Sequence, residues 1–588
     1  MVHYMSIGST RKRQYHGTVR SDTLGNELLG RLGLVRFDVN GSTMSVLTQI
    51  LSVDRRNPVH EDPRFGPVVA CKGSIPHLSA IGDYEEAVAK PVAQQLNGQP
   101  APLRANPPSG TPVVSLDDPA LDGQDNSEGG QAVFNGFSSE KPQYLRYAGN
   151  LMNESVCLPF IFKSFDPKDK NGFGEARHAG FFAATGKGKT HAAKITLGLA
   201  LSATPGMGAF IPDAKGDFVQ PSERDMDLRA FLEANGRKVN LLNVEQLRLE
   251  DAEDFSELLQ INKARKAMLI GNPEKFSDLL EMALLHFAGE HDKLKVTGDG
   301  AITLDKLLES FNDNILKVYA GSDRENQKKT EKARDVQRQR RRQLENIFEG
   351  VLARFTQGTR IDEMIDSVLQ KSCIYFLHVP KFNDPVTLFL LEKIYRRFKD
   401  RAGYHYHTKG YSNAIVYVDE ANRFVPQSPT EERKELAREL IDGIKTTRQY
   451  GLGWWFADQR PASISKDIFT QLGTYFFGKG MSAAADKANV ESIIGKEGLD
   501  IYENMSTARP FLVTGQMVGV GGEDNVPLAM SFFGSWPELS EPNNRDFDAN
   551  FEAVTGERAG LAPGNGLARV EPRPPGRAPA RNDEDIPF

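Results

Sequence analysis

Eight consecutive residues, Ala183-Ala184-Thr185-Gly186-Lys187-Gly188-Lys189-Thr190, combine glycines, a lysine and a hydroxyl in the spacing of a phosphate-binding loop. Ala183 stands where that pattern has its first glycine. Main-chain N–H groups around Gly186 and Gly188 can converge on an anion at the start of the following helix. Lys189 adds a positive point charge for β- and γ-phosphates, and Thr190 offers a hydroxyl to Mg²⁺, so ATP and Mg²⁺ are the implied cofactors. If position 183 requires positive φ, its alanine strains the loop by about 1 kcal/mol.

Far downstream, the apolar run Ile415-Val416-Tyr417-Val418 delivers Asp419 and Glu420 at its carboxyl end. That end is the edge at which a parallel sheet binds ligands. Asp419 would hold Mg²⁺ through water, and Glu420, displaced from the metal, would accept a proton from, or orient, the water attacking the γ-phosphate.

These residues need a βαβ scaffold, and the surrounding pattern supplies one. FFAATGKGKTHAAKITLGLALSA reads as strand, loop and helix, and GAFIPDAKGDF resumes as a strand ending at Asp213. CIYFLHV, AIVYVDE, GWWFADQ and TYFFGKG are further strands, with helix-like segments separating the first three, which predicts a mostly parallel sheet. A helical insertion is expected over about 222–360, where Phe276, Leu279, Leu280, Leu284 and Phe287 recur at helical spacing. The ATPase domain would then span 136–545. Residues 1–98 read as a small β-barrel, with Asn40-Gly41 as a hairpin turn. The Pro- and Gly-rich stretch 99–135 reads as a flexible linker or loop, and 546–588 as a disordered tail.

Composition narrows the classes. The chain has 588 residues, 39% hydrophobic and 26% charged, as an ordinary multidomain globular protein does. Three cysteines, Cys71, Cys157 and Cys373, show no C-x-x-C spacing and suit reduced, structural roles. No apolar run reaches the roughly 20 residues of a spanning helix, so a cytoplasmic protein without a membrane anchor is expected. The net charge of −6 excludes a uniformly basic coat but not a basic channel inside an assembly.

AATGKGKT, IPDAKGDF, IVYVDEANRFVP and KTTRQYGLGWWFADQRP, in that order, resemble the HerA/FtsK superfamily of ring-forming ATPases, and HerA most closely. The resemblance covers about residues 145–535, and the amino-terminal barrel is similar to the one HerA proteins carry. It implies a RecA-like fold, a homo-hexamer and ATP-driven translocation on double-stranded DNA. Carried over by position, Asp217 stands where many members have a glutamate near the nucleotide, one methylene longer. Gln459 occupies the place of the residue that senses the γ-phosphate, where its amide can donate to phosphate and accept from water. Arg448 and Arg460 are both available to neutralise transition-state charge from a neighbouring subunit, and Arg448 is favoured.

Two further segments suggest partners. The basic run Lys328 to Arg342, with Lys328, Lys329, Arg338, Arg340, Arg341 and Arg342, looks like one helix continuing into Leu344 and Phe348. Six copies around a ring would attract a DNA backbone, while a solvated helix paired with acidic neighbours is the competing use. The terminal Asp583-Glu584-Asp585-Ile586-Pro587-Phe588 resembles the acidic tip of bacterial single-stranded-DNA-binding proteins and suits capture by proteins that read that tip. Tyr404-His405-Tyr406-His407 has no carboxylate nearby in sequence and reads as loop decoration.

The expected function is a hexameric DNA translocase or helicase working with a nuclease or other effector. A conjugative type IV secretion or DNA-packaging ATPase shares the motifs. So does an ATP-gated ring scaffold for an antiphage defence effector.

Overall fold

The computed structural model describes residues 3–19, 27–57, 84–103, 106–117, 130–138, 140–218, 226–319, 322–380, 384–408, 410–430, 434–505, 510–520 and 526–535, with 71, 538, 539 and 543. The expected tail over 546–588, with its terminal acidic tip, lies outside them.

Strands β1 (His3–Arg11), β2 (Gln14–Val19), β3 (Leu32–Val39), β4 (Ser42–Arg56), β5 (Tyr84–Leu96), β6 (Gln99–Ala101) and β7 (Pro112–Ser115) form one sheet. Because β2 also pairs with β5, six of them close into a barrel, which leaves no open edge among those six, and β6 extends from β5. The hairpin falls at Asn40-Gly41 as expected, with both residues at positive φ and Val39 opposite Ser42. The boundary at 98 needs correction. β7, deep in the stretch read as a linker, bridges β1 and β3, and a helix follows at Gly130–Gly136. A four-residue strand in a Pro- and Gly-rich context owes its existence to the two strands that flank it.

The second sheet has eleven strands: β8 (Leu145–Leu151), β9 (Cys157–Ile161), β10 (Ala179–Phe182), β11 (Gly208–Asp213), β12 (Val239–Asn243), β15 (Ile374–His378), β16 (Ala414–Asp419), β17 (Leu452–Asp458), β18 (Thr474–Gly478), β19 (Pro510–Gly515) and β20 (Leu528–Phe532). Its order is β12-β15-β11-β16-β17-β10-β18-β19-β20-β8-β9, parallel through β18 and antiparallel beyond. This is the expected RecA-like P-loop core, with one strand, β17, between the phosphate-loop strand β10 and the Asp419 strand β16.

Both faces of the sheet are covered, which is why its strands are apolar without alternation. In β16, Ile415 and Tyr417 enter one core while Val416 and Val418 enter the other, and in β17 Trp455 and Trp454 divide the same way. Each such side chain contributes about 1.5–3 kcal/mol through burial.

Helices Ala252–Ile261, Pro273–Leu284, Leu304–Val318, Asp323–Gln339 and Arg341–Thr356 form the insertion, closed by a two-residue ladder of β13 (Leu247–Arg248) with β14 (Thr359–Arg360). Asn272 caps the second helix on Lys275 N–H, Pro273 opens it, and Phe276, Leu279, Leu280 and Leu284 are its buried face. The expected span 222–360 was too wide at its start, since β12 belongs to the main sheet. The basic run is also not one helix: it breaks at Arg340. Buried ion pairs root the insertion on the core, where Asp254 meets both Lys393 Nζ (2.9 Å) and Arg397 Nη2 (2.8 Å) of helix Pro385–His407.

Candidate nucleotide site

The phosphate loop begins where β10 ends. Gly186 and Gly188 take φ of 76° and 93°, a region open to glycine at little cost, and this turns the chain into helix Lys189–Ala203. No side chain caps that helix, so its first N–H groups remain for a ligand. The strain considered at Ala183 does not arise, because Ala183 is not among the positive-φ residues. Its buried methyl fits because Gly478 lies opposite: a Cβ there would come within 2.6 Å of Ala183 Cβ.

Lys189 Nζ lies 2.7 Å from Asp419 Oδ1, with both side chains about nine-tenths buried. The same oxygen accepts from Glu420 N–H at 3.0 Å. Removing one partner of such a pair costs about 3–5 kcal/mol, because the other charge is left uncompensated. Glu420 sits at φ 50°, in the left-handed region, just past the strand, and its Oε2 is 2.5 Å from Arg423 Nε. Thr185 Oγ1 donates to Gln459 Oε1 at 3.1 Å, which brings the end of β17 onto the loop and leaves the Gln459 amide N–H groups as donors.

Asp217 is half-buried at the same edge. Burial first, and then the charges of Asp419, Asp213 and Asp217, hold the Tyr417 phenol far into its protonated form. Asp213 Oδ2 accepts from Phe218 N–H at 2.8 Å and so shapes the turn that carries Asp217. Asp419 and Thr190 together offer a carboxylate and a hydroxyl, hard oxygen donors that suit Mg²⁺. That a cation fits at Asp419 is visible in the Lys189 ammonium already seated there.

Not every candidate converges on this edge. Arg448 precedes β17, at the opposite end of the sheet, where it pairs with Glu175. Arg460 is at the nucleotide edge but engages Asp486, with Nε to Oδ2 at 2.9 Å. In the basic run Lys328 and Arg342 are exposed. Lys329 lies over the Tyr319 ring, Arg338 meets Asp335 at 3.7 Å, Arg340 donates to the Lys266 carbonyl, and Arg341 pairs with Asp305 and Glu345. His405 does have a carboxylate, Asp366, 2.9 Å away, which sequence spacing had not revealed.

Sequence reasoning missed Asp458 and Arg423. Asp458 carries the same signal as Asp419, a carboxylate closing an apolar strand. Burial raises its pKa, against which the N–H and O–H groups bonded to it and the charge of Lys189 act.

Residues 176–398 match the family described as helicase HerA, central domain. The matched segment, less than half of the chain, is similar to a HerA central domain. It takes in the phosphate loop and the helical insertion and stops before Asp419. Similarity to this family implies nucleotide use. Among solved structures, the chain is similar to VirB4 of Thermoanaerobacter pseudethanolicus (11% identity over 67% of this chain and 98% of that one, TM-score 0.38). It is also similar to the bacterial conjugative coupling protein TrwB (11%, 66% and 89%, TM-score 0.36). A third similar structure is the genome packaging NTPase B204 of Sulfolobus turreted icosahedral virus 2 with ATP-gammaS (14%, 29% and 71%, TM-score 0.21). No curated protein matches the chain. Among the described residues, no helix is long and apolar enough to cross a membrane.

Proposed function

We propose that the chain is a hexameric, Mg²⁺- and ATP-dependent double-stranded DNA translocase of HerA type that works with a nuclease or another effector. The observation that carries this reading is the meeting of Lys189, Asp419, Glu420, Thr185 and Gln459 at the carboxyl edge of one sheet. Thr190 and Asp419 would hold Mg²⁺, which when bound would offset the negative charge of the phosphates. Lys189 leaves Asp419 for the phosphates, and the N–H groups of residues 185–190 take the remaining phosphate oxygens. Glu420 accepts a proton from the attacking water, Gln459 orients that water, and Asp217 lines the site. Arg448 reaches the site of the next subunit, because its own lies at the other end of the strand. Exposed lysines and arginines of 328–342 attract the DNA backbone. The terminal segment 583–588 recruits a partner.

The test is steady-state ATPase activity with and without long duplex DNA, with Glu420→Gln as control and particle mass from light scattering. Hexamer mass with DNA-stimulated turnover is expected. A hexamer whose turnover ignores DNA would favour a gated scaffold or a secretion motor instead.

A further inference from the structure

Asp458 closes β17 directly before Gln459, and it is 3% exposed. Its carboxylate spans two loops. Oδ2 accepts from the N–H of Asn422 at 2.8 Å, in the turn that carries Glu420. Oδ1 accepts from the N–H of Arg460 at 3.2 Å and lies 2.9 Å from Ser463 Oγ, whose one proton it shares with the Arg460 carbonyl (2.6 Å), in the loop that carries Gln459. Its main-chain carbonyl accepts from Ala183 N–H at 3.3 Å, at the entry to the phosphate loop. One residue therefore bonds to all three segments that bear the proposed catalytic groups.

Farther from the sheet the same two loops are joined again. Gln427 N–H donates to the Ser463 carbonyl (3.0 Å), Ser465 N–H to the Val425 carbonyl (2.8 Å), and Lys466 N–H to Gln427 Oε1 (2.8 Å). Those bonds hold the outer ends of the loops without Asp458. What Asp458 adds is the inner end, beside Glu420 and Gln459.

We propose that Asp458 is a positioning residue for ATP hydrolysis, whose two carboxylate oxygens set the separation between Glu420 and Gln459 across the attacking water. The inference rests on the reading of those two residues given above. An aspartate is required rather than an amide because two of the three donors are main-chain N–H groups, which can only donate. An asparagine accepts through one oxygen and must turn its own N–H₂ toward the other donor. Misplacement of a catalytic group by a fraction of an ångström costs rate while ground-state nucleotide binding persists.

The experiment compares Asp458→Asn, Asp458→Ala and Ser463→Ala with the unaltered chain and with Glu420→Gln. It measures kcat, KM for ATP, nucleotide affinity by titration with a fluorescent ATP analogue, and thermal unfolding. Expected is a graded loss of kcat: about twofold in Ser463→Ala, about tenfold in Asp458→Asn and more in Asp458→Ala, with KM and analogue affinity within about twofold. Ser463→Ala and the isosteric Asp458→Asn keep the test decisive if Asp458→Ala does not fold. Values of kcat within twofold in Asp458→Asn while Glu420→Gln is inactive would overturn the proposal, as would a loss confined to KM. Normal turnover in Glu420→Gln would overturn the catalytic reading beneath it.

Discussion

The two ends of the parallel strands carry charge in different ways. At the carboxyl edge Lys189, Arg423 and Arg460 each have a carboxylate within their own subunit, Asp419, Glu420 and Asp486 respectively. At the amino edge two guanidiniums share one oxygen, since Arg177 Nη1 lies 2.9 Å from Glu175 Oε1 and Arg448 reaches the same atom. Arg177 also donates to Gln516 Oε1 at 2.7 Å. Burial, with the nearby charge of Arg448, lowers the Arg177 pKa, as expected where two cations compete for one anion. On the proposed reading, the carboxyl edge binds nucleotide and activates water. On the same reading, the amino edge lends Arg448 to the next subunit's carboxyl edge in a ring.

The largest effect expected from this contrast is at Arg448. Replacing it with alanine should lower kcat about 10³-fold with ring mass unchanged, as loss of an arginine supplied in trans does. A full loss in Arg460→Ala with none in Arg448→Ala would reverse the comparison. Next, Glu420→Gln should lower turnover about 10²-fold while ATP is still bound, measured by single-turnover kinetics and nucleotide titration.

Much of the carboxyl edge was legible because its signals are local. The phosphate loop is contiguous, and Asp419-Glu420 closes a run of residues buried on both faces. The amino edge was not legible, because nothing near Arg448 in sequence announces Glu175. The fit of Ala183 depends on Gly478, which a strand elsewhere in the chain supplies. β12 was lost among helical neighbours, since only Val239 of its five residues is fully buried and no alternation marks it. The barrel's last strand was hidden by its composition, which describes the turns around Pro112–Ser115 rather than the pairing that makes it a strand.

A smaller effect belongs to the insertion. Reversing the exposed charges at Lys328 and Arg342 should weaken duplex DNA binding about tenfold at low salt and flatten its salt dependence by about one unit per lost phosphate contact, as measured by anisotropy titrations. Unchanged binding would leave that helix pair a solvated surface.

The smallest effect concerns a buried carboxyl that forms no ion pair among the described residues. Glu154, between β8 and β9, accepts from Tyr4 Oη of the barrel at 3.4 Å, and burial, with the charge of Asp117, raises its pKa to about 8. Between the ordinary value of 4.5 and about 8 the folded chain holds a proton that the unfolded chain has released. Stability from this group is therefore full below the ordinary value and is lost as pH rises through about 8. Glu154→Gln should unfold a few degrees higher than the unaltered chain above that pH and at the same temperature near the ordinary carboxylate range, by calorimetry. Set beside Asp419, which has Lys189, it separates a paired buried carboxyl from one that is not.

The most direct test of the two-edge account is a mixture of Glu420→Gln and Arg448→Ala chains, each nearly inactive alone. In rings assembled from equal amounts, about a quarter of the heterologous interfaces join an intact Glu420 to an intact Arg448. The account predicts that ATPase activity reappears on mixing, at about a quarter of the unaltered rate. A mixture no more active than its two components, in rings shown to exchange subunits, would contradict it.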